Sequence, residues 1–283
     1  MTRFAVFGNP VAHSKSPQIH QAFAAQRDAV LTYEKIAPPL DGFAQAVAAF
    51  FTDAGQGANV TVPFKEEAFA LCSERTARAE LAGAVNTLWQ ERGVLHGDNT
   101  DGAGLMTDIR TNLGWPVTAR RVLVLGAGGA VRGILGPLLA EAPAEVVIAN
   151  RTADKAVKLA HSFRILAKKT KIEKNTDISL HGCGYDQLDT LFDLVINGTS
   201  AGLSGGMPAL PAALLQPGAH AYDMVYGAEP SPFMRWASGQ GAAVADGLGM
   251  LVEQAAESFH RWHGWRPVTE PVITSMRQAM QQQ

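Results

Sequence analysis

The sequence predicts an α/β protein of two domains, each built around a mostly parallel sheet. Three observations predict it. The chain has 283 residues, long for a single hydrophobic core. Short apolar runs alternate with amphipathic helical patterns from the N-terminus onward. The alternation then restarts where an apolar strand meets a glycine turn, Arg121-Val122-Leu123-Val124-Leu125-Gly126-Ala127-Gly128-Gly129-Ala130.

The first half reads strand Phe4–Phe7, helix Pro17–Arg27, strand Thr32–Ile36 and helix Gly42–Thr52. The run Asn59-Val60-Thr61-Val62-Pro63-Phe64-Lys65 reads as a short strand to Val62 followed at once by a helix. Pro63 has the fixed φ and missing N–H that suit a first helical position. Glu66 and Glu67 are anions that a helix N-terminus favours, and Phe64, Ala68, Leu71 and Cys72 form the apolar stripe. A ribbon pairs Asn86–Gln90 with Val94–His96 across Glu91-Arg92-Gly93. Helix 101–112 carries Leu105 and Ile109, then Leu113, and stops near Gly114 with Pro116 beyond, which suits a domain crossing.

After the glycine turn come helix Val131–Ala140, strand Val146–Ala149, helix 153–163, strand Leu194–Asn197 and strand Ala221–Val225. This is the pattern of a doubly wound parallel sheet. Helix 247–262 presents Leu248, Leu251, Val252, Ala255 and Phe259 on one face, and a last helix follows Pro267. Periodicity leaves open whether these helices cap the second sheet or return to the first.

Composition excludes several classes. At 47% hydrophobic and 18% charged, the chain is globular. A net charge of −2 argues against a dedicated nucleic-acid binder. The cluster Arg164, Lys168, Lys169, Lys171 and Lys174 lacks interleaved aromatics and reads as a solvated loop or helix end. Two cysteines, Cys72 and Cys183, make no disulfide framework. No signal peptide and no membrane-length apolar run is found, so a soluble cytoplasmic protein is expected.

Three further patterns are weak. Asp98-Asn99-Thr100-Asp101-Gly102 resembles a calcium loop only superficially, because Ile109 stands where the chelating Glu belongs. His260 and His263 share a helix face without a third ligand, and read as a solvated or capping pair. No metal site is expected. Gly198-Thr199-Ser200-Ala201-Gly202 matches a hydrolase elbow, with Asp223 and His260 in order behind it. The helix that the elbow requires does not follow.

Two features carry chemistry. Lys65 falls in the first turn of its helix, where the macrodipole disfavours a cation. That is a poor choice for stability and a reasonable one for proton transfer. The second is the glycine turn. Gly126 makes the bend, Gly128 lets backbone approach a pyrophosphate, and Gly129 with Ala130 opens the helix whose N-terminus holds the charge. The third glycine of the strict pattern is replaced by the small Ala130. The next strand ends in Asn150-Arg151-Thr152 with Lys155 a turn later, and offers no carboxylate for a ribose 2′-OH. Arg151 and Lys155 suit a 2′-phosphate, so NADP is expected over NAD, and Thr152 also suits a helix N-cap.

The sequence resembles the shikimate dehydrogenases over essentially its whole length. The resemblance rests on Gly8-Asn9-Pro10, Ser14-Lys15-Ser16-Pro17, the run ending at Lys65, Asn86-Thr87 and Gly97-Asp98-Asn99-Thr100-Asp101-Gly102. It continues through the glycine turn, Asn150-Arg151-Thr152, Asp223-Met224-Val225-Tyr226 and Gly249-Met250-Leu251-Val252-Glu253-Gln254.

The resemblance implies NADPH-dependent reduction of 3-dehydroshikimate to shikimate in aromatic amino-acid biosynthesis. It implies a discontinuous substrate domain, residues 1–102 closed by C-terminal helices 248–283, around a Rossmann NADP-binding domain, 103–247. Lys65 and Asp101 would be the catalytic pair. Ser14, Ser16, Thr61, Asn86, Asp101 and Gln254 would hold the substrate's carboxylate and hydroxyls, with Tyr226 near the carboxylate. Thr199, Met224, Val225 and Gly247 would line the nicotinamide end. Ser16 and Asp101 also read as plain helix N-caps.

Two departures stand out: Gly198 where Ala is common, and a longer, more basic 164–180 segment. Oligomeric state stays open, with a homodimer as the candidate assembly. The rival readings are a quinate/shikimate dehydrogenase of broader substrate and cofactor range, and a non-catalytic dinucleotide sensor.

Overall fold

Two six-stranded sheets organise the chain, one on each side of a cleft. The structure is a computed structural model and describes residues 2–170, 178–199, 201 and 206–282, with backbone alone over 166–170. The first sheet contains β1 (Thr2–Phe7), β2 (Leu31–Ile36), β3 (Gly55–Val60), β4 (Glu74–Arg75), β5 (Thr87–Glu91) and β6 (Val94–Asp98). Its order is β2-β1-β3-β5-β6-β4. Pairing is parallel except where β5 meets β3 and β6, so the predicted ribbon is the antiparallel part. Helices α1 (Ser16–Ala25), α2 (Phe43–Thr52), α3 (Lys65–Leu71) and α4 (Ala77–Ala82) connect these strands.

The chain crosses through α5 (Asp101–Thr107) into a sheet of β7 (Arg121–Leu125), β8 (Glu145–Ala149), β9 (Ser179–Cys183), β10 (Phe192–Asn197), β11 (Leu215–Asp223) and β12 (Ala243–Asp246). All pairs are parallel, in the order β12-β11-β10-β7-β8-β9. This is the doubly wound order, and strand succession reverses between β7 and β10. The helices here are α6 (Gly129–Ala140), α7 (Ala153–Thr170) and α8 (Pro232–Gly239). The fully buried Val122, Val124, Ile148, Leu194 and Ile196 explain why these strands read as continuous apolar runs.

The last helices, α9 (Leu248–His263) and α10 (Glu270–Gln281), return to the first sheet. Leu248, Val252, Ala255 and Phe259 share one core with Phe4, Val6, Ile19 and Phe23, and Val272, Met276 and Met280 join them. Burying each large apolar side chain contributes about 1.5–3 kcal/mol, so this face holds α9 firmly against the first sheet.

Several expectations change. Pro63 is not the first helical residue. It follows a cis peptide bond and lies in a turn closed by the Phe64 N–H to the Thr61 carbonyl at 3.0 Å, so α3 begins at Lys65. The strand placed at 59–62 is Gly55–Val60. Its glycines escape a propensity reading because they serve packing: a Cβ on Gly57 would stand 2.4 Å from the Trp262 ring. Helix 101–112 keeps α geometry only to Thr107, and Asp108–Asn112 form a wider π turn.

The short elements β4, α4, β9, α8 and β12 are absent from the sequence reading. Those strands are held by the ladders of their neighbours and carry little pattern of their own. Helix α7 extends past 163, with Arg164 exposed on it, and Lys171 and Lys174 lie outside the described residues. His263 is half-buried rather than fully solvated. Its ring stacks on Phe259 at 4.1 Å, whereas His260 is exposed.

His20 gives a prediction that the sequence did not offer. It is fully buried on α1, stacked 4.6 Å from Tyr33 and facing Phe23, Phe259 and Trp262, with no hydrogen-bond partner on either ring nitrogen among the described residues. Burial, with His263 nearby, lowers its pKa to about 3. The folded state therefore refuses a proton that the unfolded chain accepts below about pH 6.5. The stability His20 contributes is complete above that pH and falls toward pH 3, by about 1.4 kcal/mol per unit at most. His20→Phe is expected to flatten urea-derived stability between pH 6.5 and pH 4; identical slopes for both proteins would refute this.

Candidate active site

The cleft between the sheets has a volume of about 250 Å³ and is lined by polar and apolar groups from both halves of the chain. Its functional side chains come from short backbone segments just beyond strand ends. Lys65 opens α3, five residues after the end of β3. Asp101 opens α5, directly after the turn that follows β6. Their meeting requires two separate chain segments to converge. Lys65 Nζ lies 2.6 Å from Asp101 Oδ2. The lysine side chain retains 26% of its accessibility and the aspartate 11%, so the pair faces the cleft while sheltered from bulk water.

Asp101 is held from three directions. Asn86 Nδ2 donates to its Oδ1 at 2.8 Å, Lys65 binds the other oxygen, and its backbone N–H donates to Asn99 Oδ1 at 3.2 Å. Asn86 also accepts from the Thr100 N–H at 2.9 Å. Neither Asp101 nor Ser16 caps its helix: Thr100 and Lys15 occupy those positions, and no side-chain cap bond is made. The capping alternative for both residues is therefore removed.

Ser14, Ser16, Thr61, Asn86, Tyr226 and Gln254 line the same cleft as the Lys65–Asp101 pair. Ser14 and Ser16 hydroxyls lie 3.2 Å apart and form a compact pair of donors at the start of α1. Gln254 reaches the site from α9, its amide nitrogen donating to the Leu251 carbonyl at 2.8 Å. Burial raises the pKa of Tyr226, and Asp246 adds to the rise, so its hydroxyl is a protonated donor at neutral pH.

Sequence reasoning missed some of the setting. His13, Lys15 and Asn59 also line the cleft. Beneath it, Ser258 accepts from Asn59 at 3.0 Å and meets Thr87 at 2.7 Å, while Tyr33 donates to Asn59 at 2.6 Å. These buried polar groups are mutually satisfied and fix the floor. Asn59, a polar residue beside Ala58 and Val60 in a strand, is the sequence signal that could have pointed there.

On the second sheet, the glycine turn joins β7 to α6 at the switch point. Gly126 has φ +105°, a conformation open to glycine and strained for other residues. A Cβ on Gly128 or Gly129 would have no atom within 4 Å, so the backbone there faces open space. Ala127 and Ala130 flank them, and α6 starts at Gly129 with its N–H groups toward that space. A dinucleotide pyrophosphate fits this cradle.

Asn150, Arg151 and Thr152 follow β8, with Arg151, Thr152 and Lys155 exposed beyond it. Asn150 Nδ2 donates to the Thr152 carbonyl at 3.0 Å, which shapes that turn. Met224 and Gly247 line the substrate cleft itself. Thr199 and Val225 are not among its lining residues. Thr199 stands past the end of β10, hydrogen-bonded to Asn197 at 2.8 Å, and Val225 accepts the Gly247 N–H at 3.2 Å.

The weaker motifs receive no support. Ser200 lies outside the described residues. Asp223 accepts from Asn197, Val225 and Ser231, and among the described residues no hydrogen bond joins it to His260. Among those residues, too, no group of three metal-ligating side chains forms, and no helix is long and apolar enough to cross a membrane.

Family profiles described as shikimate dehydrogenase substrate binding domain, shikimate / quinate 5-dehydrogenase, and shikimate 5′-dehydrogenase C-terminal domain match residues 6–88, 110–181 and 247–281. The chain is 61% identical over 275 residues to the shikimate dehydrogenase (NADP(+)) of Alcanivorax borkumensis, covering 97% of this chain and 96% of the relative. The Ael1 enzyme from Pseudomonas putida superposes with a TM-score of 0.87 at 45% identity, covering 97% of this chain and 98% of that one. The shikimate 5-dehydrogenase of Thermus thermophilus, solved in complex with NADP(H) and shikimate, does so with a TM-score of 0.83 at 34% identity. That match covers 99% of this chain and 100% of the other. With its lysine–aspartate pair in the cleft and its glycine turn at the switch point, this chain belongs to the shikimate dehydrogenase family.

Proposed function

We propose that the protein catalyses the reversible NADPH-dependent reduction of 3-dehydroshikimate to shikimate, in the route to chorismate and the aromatic amino acids. The observation that carries the reading is the 2.6 Å contact between Lys65 Nζ and Asp101 Oδ2 at the wall of a small polar cleft. A small anionic polyhydroxylated ring needs hydroxyl and amide donors more than apolar walls. Ser14, Ser16, Thr61, Asn86, Tyr226 and Gln254 supply them. In this reading Ser14, Ser16 and Tyr226 take the carboxylate, while Thr61, Asn86, Asp101 and Gln254 take ring hydroxyls.

When bound, NADPH supplies the hydride. The glycine turn, Gly126 to Ala130, would hold its pyrophosphate, and Asn150, Arg151, Thr152 and Lys155 its adenosine 2′-phosphate. Met224 and Gly247, which line the cleft, would face the nicotinamide together with Thr199 and Val225. Lys65 as ammonium holds the proton at Nζ and gives it to the oxygen of the reacting carbonyl as negative charge develops there. Asp101 keeps the ammonium aimed at that oxygen, and in the oxidative direction the neutral amine takes the hydroxyl proton. Residues 1–102 with 248–283 would form the substrate half and 103–247 the cofactor half. A homodimer in the cytoplasm is the proposed assembly and location.

One family profile also carries quinate in its name, which keeps a broader dehydrogenase as the second reading. Steady-state assays with shikimate and quinate, each with NADP+ and NAD+, separate the two. Shikimate with NADP+ is expected to give the highest kcat/KM, and tight NADPH binding without turnover would overturn the enzyme reading altogether.

Cofactor choice has its own test. A charge-assisted hydrogen bond is worth about 1.5–3 kcal/mol, so Arg151→Ala should weaken NADPH about 10- to 100-fold and spare NADH. Equal losses for both cofactors would remove Arg151 from the phosphate site.

A further inference from the structure

Arg78 on α4 lines no part of the cleft, yet it touches both segments that deliver substrate-facing side chains to it. On one side its guanidinium forks onto Asp98, Nε to Oδ1 at 2.7 Å and Nη2 to Oδ2 at 2.5 Å. Asp98 is 1% exposed and anchors the turn Asp98-Asn99-Thr100-Asp101. Its Oδ1 also accepts the Asn99 N–H at 2.7 Å and the Thr76 hydroxyl, and its backbone carbonyl accepts the Asn86 N–H at 2.9 Å. Asn99 then passes the restraint on, since its Oδ1 accepts the Asp101 N–H at 3.2 Å. On the other side, Arg78 reaches Glu257 Oε2 at 3.5 Å, one helical turn beyond Gln254 on α9. Glu257 is in turn paired with Arg266.

We propose that Arg78 is a positioning residue: it holds the Asp101 turn and the Gln254 helix in the mutual register that the reaction requires. A buried carboxylate at the root of that turn needs a fixed cation, and only a planar two-pronged donor satisfies both its oxygens while fixing direction. Burial pushes the Asp98 carboxyl up; the Arg78 fork, with Thr76 and the Asn99 N–H, outweighs burial and holds it below the usual carboxylate range. Asp98 thus stays ionised at neutral pH and the tether persists. Placement errors of about 1 Å at a reacting group can cost on the order of 10²-fold in rate, so a tether acting on Asp101 through Asp98 and Asn99 matters.

The inference rests on the proposed reaction, and wild-type turnover of shikimate with NADP+ is measured first so that failure of that reading is recognised separately. Arg78→Lys keeps the charge and loses the fork. It is expected to lower kcat for shikimate about 10-fold or more and raise KM, while Kd for NADP+ by fluorescence titration stays unchanged. Glu257→Gln releases only the α9 side, and is expected to raise KM about 3-fold with kcat retained. Rates within twofold of wild type for folded Arg78→Lys, or an equal fall in NADP+ affinity, would overturn the proposal. Should Arg78→Lys fail to fold, the Glu257→Gln result decides: an unchanged KM overturns it and a raised KM with intact kcat supports it.

Discussion

Replacing Lys65 with alanine is expected to lower kcat about 10²- to 10⁴-fold with little change in KM, the signature of a lost acid–base group. The reasoning is geometric. Lys65 Nζ sits against Asp101 in a sheltered wall, and Asp101 is itself fixed by Asn86 and the Asn99 side chain. Removing the ammonium leaves the developing alkoxide without its proton and leaves Asp101 without its cation. Substrate binding should persist, because Ser14, Ser16, Thr61, Asn86, Tyr226 and Gln254 stay in place. Initial rates across shikimate concentration, with NADP+ saturating, check the split. A raised KM at unchanged kcat would make Lys65 a binding residue and take the proton from elsewhere.

The second large effect is expected from a single methyl group. Gly104 lies in α5 where that helix crosses α9, and both helices link the two halves of the chain. A Cβ on Gly104 would stand 2.6 Å from the Gln254 backbone nitrogen and 2.8 Å from the Met250 carbonyl. Helix propensity favours alanine by about 1 kcal/mol, but overpacking against backbone that cannot rotate away costs about 3 kcal/mol, so net destabilisation of about 2 kcal/mol is expected.

Function should suffer more than stability. The atoms displaced belong to Gln254 and its helix, so kcat/KM is expected to fall on the order of 10²-fold in protein that is still folded. Urea titration and steady-state kinetics at one temperature check both halves. Wild-type kinetics in Gly104→Ala would mean that α9 can shift without moving the cleft.

Much of this architecture was legible from the chain. The strands of the second sheet announce themselves because both their faces are covered, which leaves apolar runs such as Val122–Leu125. The glycine turn reads correctly because a positive φ at Gly126 and open backbone at Gly128 and Gly129 are local requirements. The short strands and α4 were hidden, since two to six residues cannot show a period. Pro63 misled because a first-turn proline and a turn proline look alike without the peptide geometry before them. Likewise His20 looks like any polar position on a helix until four aromatic rings are found around it.

By itself the sequence determined the α/β class, the two-sheet organisation and the chemical types at Lys65, Asp101 and Arg151, because residue identity and local period are properties of neighbouring positions. Periodicity left the place of α9 open, the family resemblance implied that it closes the first domain, and the tertiary structure packs it there. Only the tertiary structure decided that Ser16 and Asp101 cap nothing, and that Arg78 ties the Asp101 turn to the Gln254 helix. Contacts of this kind join distant segments, Arg78 and Glu257 being 179 residues apart. Their energies depend on distance and desolvation in the folded state, and no local pattern in the chain encodes either.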